Sequence, residues 1–599
     1  MKRARRAVRR LSATLISTFA AWAQCSPSNP PCILTGQYDI ARDGVNSREK
    51  ILSPLNSFGS FQLRGTFSAD AAIYAQPLYV SGLGIGGGTH NVVFVATLND
   101  SVYAIDADSY GPQPSNFTTY WSRTGSTSLI YDCGPHGKIV PHPPNLPSVG
   151  ILSTPVIDAS AGLMYLVDAC LDSQSNRHWY LHALKLADGA DNVPPVNISG
   201  SVTGYGGAGT LVFYPAKHLQ RPALLQLKPG TTNTIYLAFS RSVSEEDTQY
   251  HGWVFAYDGS ALTQQFAFSD TYTGSTNNSY SPVCAATPVP PYHMAPNWCG
   301  HGGGIWMSGR GPAGNSIGGN TYAFFASGNG GFQSSGPITG VPGNLSESVF
   351  KFLLGNPSGL PMDYFAPQAP PIDITTLNAS DWDFGTTGVL LFDAAVSGNT
   401  QHLLVTVDKI GNGYVLDQTD LGGYSTPSSP GSYFTALGTV CTSNKQICHE
   451  AHGAAYWNGT LFLWPWQENL RMYTFSNGIF SYKVSAGYNS GYPGGSLAIS
   501  SDESTNGILW AVTTHPGTSS STPFLGTLWA YNASSPFNCL WNSSTGTACT
   551  QIDDTWHAAV FAEPTVVNGR VYVPTWDGTL LVYANTQGED AWERGRERP

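Results

Sequence analysis

Fifteen residues near the C-terminal end, "VYVPTWDGTLLVYAN" from Val571 to Asn585, set the strongest limit on what this chain can fold into. An apolar run meets a turn at Asp577-Gly578, and a second apolar run follows. Asp-Gly between such runs predicts a β-hairpin, because these residues tolerate the backbone angles a tight hairpin turn needs. The unit recurs in "VFVATLNDSVYAIDAD" (93–108), "MYLVDACLDSQSNRHWYLHALKLADG" (164–189) and "IYLAFSRSVSEEDTQYHGWVFAYDG" (235–259). "YAFFASGNGG" (322–331) joins "SVFKFLL" (348–354), and "LLVTVDKIGNGYVLDQTD" (403–420) and "LFLWPWQENLRMYTFSNG" (461–478) follow. "ILWAVTTH" (508–515) with "GTLWAYNAS" (526–534) completes a set of eight with the terminal unit.

Each unit is preceded by a further short apolar segment, such as "YAQPLYV" (74–80), "STPVIDA" (153–159), "QRPALLQL" (220–227) and "AEPTVV" (562–567). Pro near the start of several fits a first strand residue, where no ladder N–H is required. Four strands per unit, repeated eight times, predict an all-β, eight-bladed β-propeller of four-stranded antiparallel blades. One such sheet cannot bury both faces, but a closed ring of them can. "FQLRGTF" (61–67) precedes the first unit and is expected to supply the outer strand of the last blade, closing the ring. With 66 glycines, 12% aromatic and 11% charged residues, the composition suits short strands and tight turns rather than helices.

The expected organisation is a signal peptide over 1–23, an N-terminal extended segment over 24–60, the propeller over 61–587 and a charged tail over 588–599. The signal reads from the basic "MKRARRAVRR", a short apolar core and Ala21-Trp22-Ala23. That apolar core is too short to span a bilayer. Its removal takes six basic residues and no acidic one, leaving 22 basic against 39 acidic side chains, a net −17. Such a surface repels phosphate backbones and argues against nucleic acid as a partner. Ten cysteines in an exported chain, periplasmic or extracellular, imply disulfides. Pairing of sequence neighbours is expected: Cys25–Cys32, Cys133–Cys170, Cys284–Cys299, Cys441–Cys448 and Cys539–Cys549.

The "VYV…DGTL" unit and its eightfold count resemble the repeat of the quinoprotein alcohol dehydrogenase family. More specific marks follow in that family's chain order. "GGGIW" supplies Gly302 to Gly304 and Trp306, matching the glycine run and the Trp beneath the quinone. "ASGNGG" supplies Asn329, matching a Ca²⁺ ligand. "WDFG" supplies Asp383, matching the general base and metal neighbour. "DKIGNGYVLDQ" supplies Lys409, matching a basic residue on the quinone. "DTQYHGWVFAYD" supplies Asp247 where the family has a metal-binding Glu. The family's adjacent cysteine pair is absent, the usual Thr before the Trp is missing, and its Trp-docking motifs are degenerate.

The resemblance implies pyrroloquinoline quinone (PQQ) and Ca²⁺ as cofactors, an alcohol or sugar as substrate, and a separate electron acceptor. The chemistry is coherent: Trp306 offers a π-face, Lys409 a positive charge, and Asp247, Asn329 and Asp383 hard oxygen ligands. Asp383 should then lie near Asn329 and over the ring of Trp306. Each residue also has a plainer reading: Trp306 in blade packing, Asn329 and Asp383 in turns, Lys409 in solvent. His301, His449, Glu450 and His452 read as a loop contact near the funnel, because "CHEAHG" lacks zinc-binding spacing. Two functions stay open: a PQQ-dependent dehydrogenase, and a non-catalytic propeller that binds protein or carbohydrate.

Overall fold

The computed structural model describes residues 25, 31–55, 57–109, 117–134, 138–139, 148–204, 209–242, 247, 249–271, 300–333, 344–368, 373–425, 433–435, 452–515, 523–534, 538–550 and 554–585. The alternating runs form eight antiparallel sheets, and the chain is an all-β, eight-bladed propeller. Blade 1 is Leu78–Ile85, Gly88–Ala96, Val102–Asp106 and Thr119–Arg123, in that spatial order. The innermost strands of blades 2 to 7 are Val156–Asp158, Leu225–Leu227, Ala313–Ile317, Leu390–Val396, Ala454–Trp457 and Ser496–Asp502. Blade 8 has Thr565–Val567, Arg570–Pro574 and Thr579–Asn585 from the C-terminal side. Its outer strand is Phe61–Ser68, antiparallel to Thr579–Asn585, so the two ends of the chain close the ring as expected.

Aromatic side chains tie neighbouring blades together. Trp121 of blade 1 donates its indole N–H to the Leu186 carbonyl of blade 2 at 2.8 Å. A Cβ on Gly189 would stand 2.5 Å from that ring, so only glycine fits there. Trp457 of blade 6 does the same toward blade 7, donating to the Glu503 carbonyl at 3.0 Å over Gly507. Tryptophan packed over glycine thus joins neighbouring blades at these two junctions.

The N-terminal segment threads the propeller axis, a placement its loop-like sequence does not suggest. Ile33 pairs with Tyr79 of blade 1, and the Leu34 carbonyl accepts from Ile157 of blade 2. The carbonyls of Ile40, Ala41, Asp43 and Gly44 accept from Gly314, Leu391, Tyr456 and Ile499, in blades 4, 5, 6 and 7. Arg42 donates to the Leu224 carbonyl at the start of blade 3, and Asn46 to Val566 of blade 8. Arg42 is fully buried, with further bonds to Thr35 Oγ1 and to the carbonyls of Gly36 and Pro312. These acceptors spread its charge over fixed dipoles in place of water. Residues 33–46 thus fill the centre of the ring and form the floor of whatever lies above it.

One described α-helix departs from the expectation of strands and turns alone. Helix α1, Ile374–Ser380, is capped by Asp373, whose carboxylate accepts the Thr376 N–H at 2.8 Å. Three of the expected disulfides are present, Cys25–Cys32, Cys133–Cys170 and Cys539–Cys549. The other two pairs, the 1–23 segment and the 588–599 tail lie outside the described residues. No helix among the described residues is long and apolar enough to cross a membrane.

Candidate functional site

In a four-stranded meander, the loop between strands two and three and the link to the next blade fall at the same end of the ring. Asn329 and Glu347 lie in the former loop of blade 4, and Lys409 in that of blade 5. Trp306 and Asp383 lie in the links leading into blades 4 and 5. Topology alone therefore brings them to one end of the propeller.

Asp383 is the hub of a partly buried cluster. Its Oδ1 accepts the Asn329 N–H at 3.1 Å, and its own carbonyl accepts the Lys409 N–H at 3.0 Å. A Cβ on Gly328 would come within 2.2 Å of Asp383 Oδ1, which explains the glycine beside Asn329. Helix α1 ends at Asp381, in a left-handed conformation with φ 56°. Asp381 takes the Asn329 side-chain amide at 2.6 Å and Lys409 Nζ at 3.0 Å. Lys409 Nζ also stands 3.6 Å from Asp383 Oδ2. From inside the helix, Asn378 clamps both the N–H and the carbonyl of Gly330.

Two acceptor oxygens in this cluster are buried without a hydrogen-bond partner, Asn329 Oδ1 and Glu347 Oε1. Glu347 is fully buried, and its other oxygen accepts the Phe384 N–H at 2.6 Å. Burial, then the nearby Asp383 charge, pushes the Glu347 carboxyl well above its usual range. Burial likewise raises Asp383, against the pull of Lys409. Buried oxygens with no donor are costly unless a cation or water completes them.

Trp306 belongs to a second group, on the propeller axis. What stands over its ring is Arg221, with the guanidinium carbon 5.9 Å from the ring centre and 4.3 Å from that of Phe561. His452 packs beside the same two rings, at 5.8 and 4.8 Å. The expected position of Asp383 over Trp306 is thus held by Arg221. The two groups meet through a strained turn. Met307 and Ser308 adopt φ 41° and 51°, which non-glycine residues seldom do. Ser308 holds this turn by donating to the Thr386 carbonyl at 2.6 Å and contacting His452 Nδ1 at 2.8 Å. Thr386 in turn donates to the Asp383 carbonyl at 2.8 Å.

Beside Arg221 is an open recess of about 310 Å³, lined by Tyr74, Gln76, Arg221, Phe561, Glu563 and Gln37 of the N-terminal segment, among others. Arg310 pairs with Glu563 at 2.8 Å beneath it. Asp247 does not join the Asp383 cluster: its carboxylate pairs with Lys217 and accepts the Gln249 N–H at 2.9 Å. His449 and Glu450 lie outside the described residues, and His452 is a funnel contact.

Sequence reasoning missed Arg221 and Glu347. Both carry the signal that singled out Asp383, a lone charge where an apolar strand begins: "QRPALLQL" and "SESVF".

No known family profile matches the sequence. A quinohemoprotein alcohol dehydrogenase from Pseudomonas putida HK5 superposes over 92% of this chain and 80% of its own, with TM-score 0.50 and 11% identity. The likeness is one of fold. The quinohemoprotein alcohol dehydrogenase of Comamonas testosteroni (TM-score 0.47, 14% identity) covers 92% of this chain and 80% of its own. BamB of Moraxella catarrhalis (0.41, 10%) covers 88% of this chain and 98% of its own. An 83-residue stretch, 14% of this chain, is 35% identical to a rabbit (Oryctolagus cuniculus) immunoglobulin κ variable region, 76% of which it spans. An immunoglobulin domain is a sandwich of two packed sheets. The described sheets are instead successive blades of one ring, so that match assigns no family.

Proposed function

We propose that this chain is an exported propeller that binds PQQ and Ca²⁺ and oxidises an alcohol or sugar. The observation that carries the reading is the meeting of Asp383, Asn329 and Lys409 from loops of two blades around buried oxygens that lack donors. The donor set fits calcium, a hard cation that takes several oxygens. Asn329 Oδ1, Glu347 Oε1 and the Asp383 carboxylate are the ligands this chain would offer. Glu347 takes the part that the family pattern gives to Asp247.

The quinone's carboxylates need a cation that is not already neutralised. Lys409 is held by Asp381 and Asp383, whereas among the described residues no carboxylate is paired with Arg221, which lies beside the Trp306 face. Arg221 and Trp306 are therefore the residues that would hold the cofactor. When bound, PQQ supplies the two-electron acceptor and calcium a Lewis acid. Asp383 Oδ2 would take the substrate hydroxyl proton, because Oδ1 is occupied by the Asn329 N–H. Burial, by raising this carboxyl, makes it a better base than a solvated aspartate.

The three described disulfides fit an oxidising compartment, and we assign residues 1–23 as the cleaved export signal. N-terminal sequencing of secreted protein should begin at Gln24. A purely binding propeller is the second reading. It is favoured by the neutralised Lys409 and by the distant pairing of Asp247. Purified mature protein given Ca²⁺, PQQ and an alcohol or sugar panel should reduce an artificial electron acceptor. Ligand binding without dye reduction on any substrate favours the second reading.

A further inference from the structure

A different cluster, between blades 1 and 2, has the chemistry of a transition-metal site. His182 is fully buried on the third strand of blade 2, Arg177–Lys185. Its Nδ1 lies 2.8 Å from Asp191 Oδ1, and Arg123 anchors the other oxygen of Asp191 at 2.8 Å. Asp191 thus makes Nδ1 a protonated donor. Two carboxylate oxygens meet the other ring nitrogen, Nε2: Asp132 Oδ2 and Asp168 Oδ1, each at 3.1 Å. Two carboxylates converging on one ring nitrogen call for a positive species there, either a second ring proton or a metal ion.

Two further observations favour a metal ion over a proton. Asp168 is fully buried, and its Oδ2 has no hydrogen-bond partner among the described residues. One proton on Nε2 shared between two carboxylates leaves that oxygen uncompensated. The three ligand atoms also lie within 4.8 Å of one another, a span one small cation can bridge. The disulfide Cys133–Cys170 fixes the arrangement. It ties the residue after Asp132 to the strand carrying Asp168. Asp100 is fully buried nearby, and burial and then the Asp168 charge push its carboxyl well above its usual range, a crowding of carboxyls that a divalent ion would relieve.

We propose that Asp132, Asp168 and His182 bind a divalent transition-metal ion, zinc or manganese, with Asp191 orienting the imidazole as a positioning residue. The mix of one imidazole with carboxylates suits these ions better than calcium, which prefers oxygen alone. This site is independent of the blade 4–5 cluster.

The test uses the mature full chain, stripped with a chelator and titrated with Zn²⁺ and with Mn²⁺. Bound metal is measured by calorimetry and by elemental analysis after gel filtration. The expected result is about one equivalent that disappears in His182→Gln and Asp168→Asn. Asp132→Asn, at a partly exposed position, should weaken binding at least about tenfold with an unchanged melting temperature. Nitrogen NMR of His182 provides a check that does not depend on buried variants: metal should shift Nε2 and leave Nδ1 protonated. A doubly protonated His182 with no metal uptake near pH 7.5 overturns the proposal. So does uptake that Asp132→Asn leaves unchanged.

Discussion

The two carboxylate clusters differ in where they are built and in what faces the carboxylates: one sits on loops and links of blades 4 and 5, the other on two strands of blade 2 and the link from blade 1. Around Asp383 the neighbours are an amide, a lysine and another carboxylate's free oxygen. Around Asp168 the neighbour is an imidazole. An all-oxygen set with a nearby cation fits calcium, whereas the nitrogen in the other set fits a softer ion. In both places two or three side chains set which ion the carboxylates suit.

The largest expected effect is Asp383→Asn. It should lower turnover by roughly 10²–10⁴-fold, the usual weight of a general base, and leave metal uptake at His182 intact. Equal loss at both clusters, read by dye reduction and metal analysis, would mean that the two are not separate.

Blade 3 lies between the clusters, and its buried His218 is bonded to backbone groups where His182 meets carboxylates. Burial holds His218 at about 4, with its ring bonded to the Tyr214 carbonyl and the His251 N–H. His251 is held at about 3 by burial and by His218. A folded-state value below that of the unfolded chain means stability present above about pH 6.5 and lost as pH falls through 4. His218 alone should cost about 3 kcal/mol over that window. Urea melts from pH 7 to 4 should show this loss, and His218→Gln should flatten it. A flat wild-type profile breaks the contrast between the two histidine environments.

Smaller effects concern calcium. Glu347→Gln should weaken Ca²⁺ binding at least about tenfold, because it removes a buried anionic ligand. Asp247→Asn should change it by less than about twofold, since that carboxylate is spent on Lys217. The reverse ranking in a Ca²⁺ titration would restore the sequence-based ligand set.

The ring was legible because each blade carries its own hairpin signal, and local turn chemistry needs no distant partner. Phe61–Ser68 was legible too, as one extra strand before the first unit. The axial course of residues 33–46 was not. Its bonds run from single backbone carbonyls to different blades, and the burial of Arg42 depends on carbonyls from distant parts of the chain. In the site, Asn329, Asp383 and Lys409 come together from loops of two blades. Asp247 lies apart from them, and its spacing along the chain says nothing about a lysine 30 residues earlier, Lys217, that pairs with it. Glu347 and Arg221 carry only the general signal of a lone charge at the start of an apolar strand, and what they face depends on the fold.

The most direct test of the blade 4–5 site is calorimetric titration of chelator-treated mature chain with PQQ, with and without Ca²⁺. The account predicts one PQQ per chain in the presence of Ca²⁺, markedly weaker binding without it, and loss of that calcium dependence in Asn329→Ala. No PQQ binding in either condition, or binding indifferent to Ca²⁺, would contradict it.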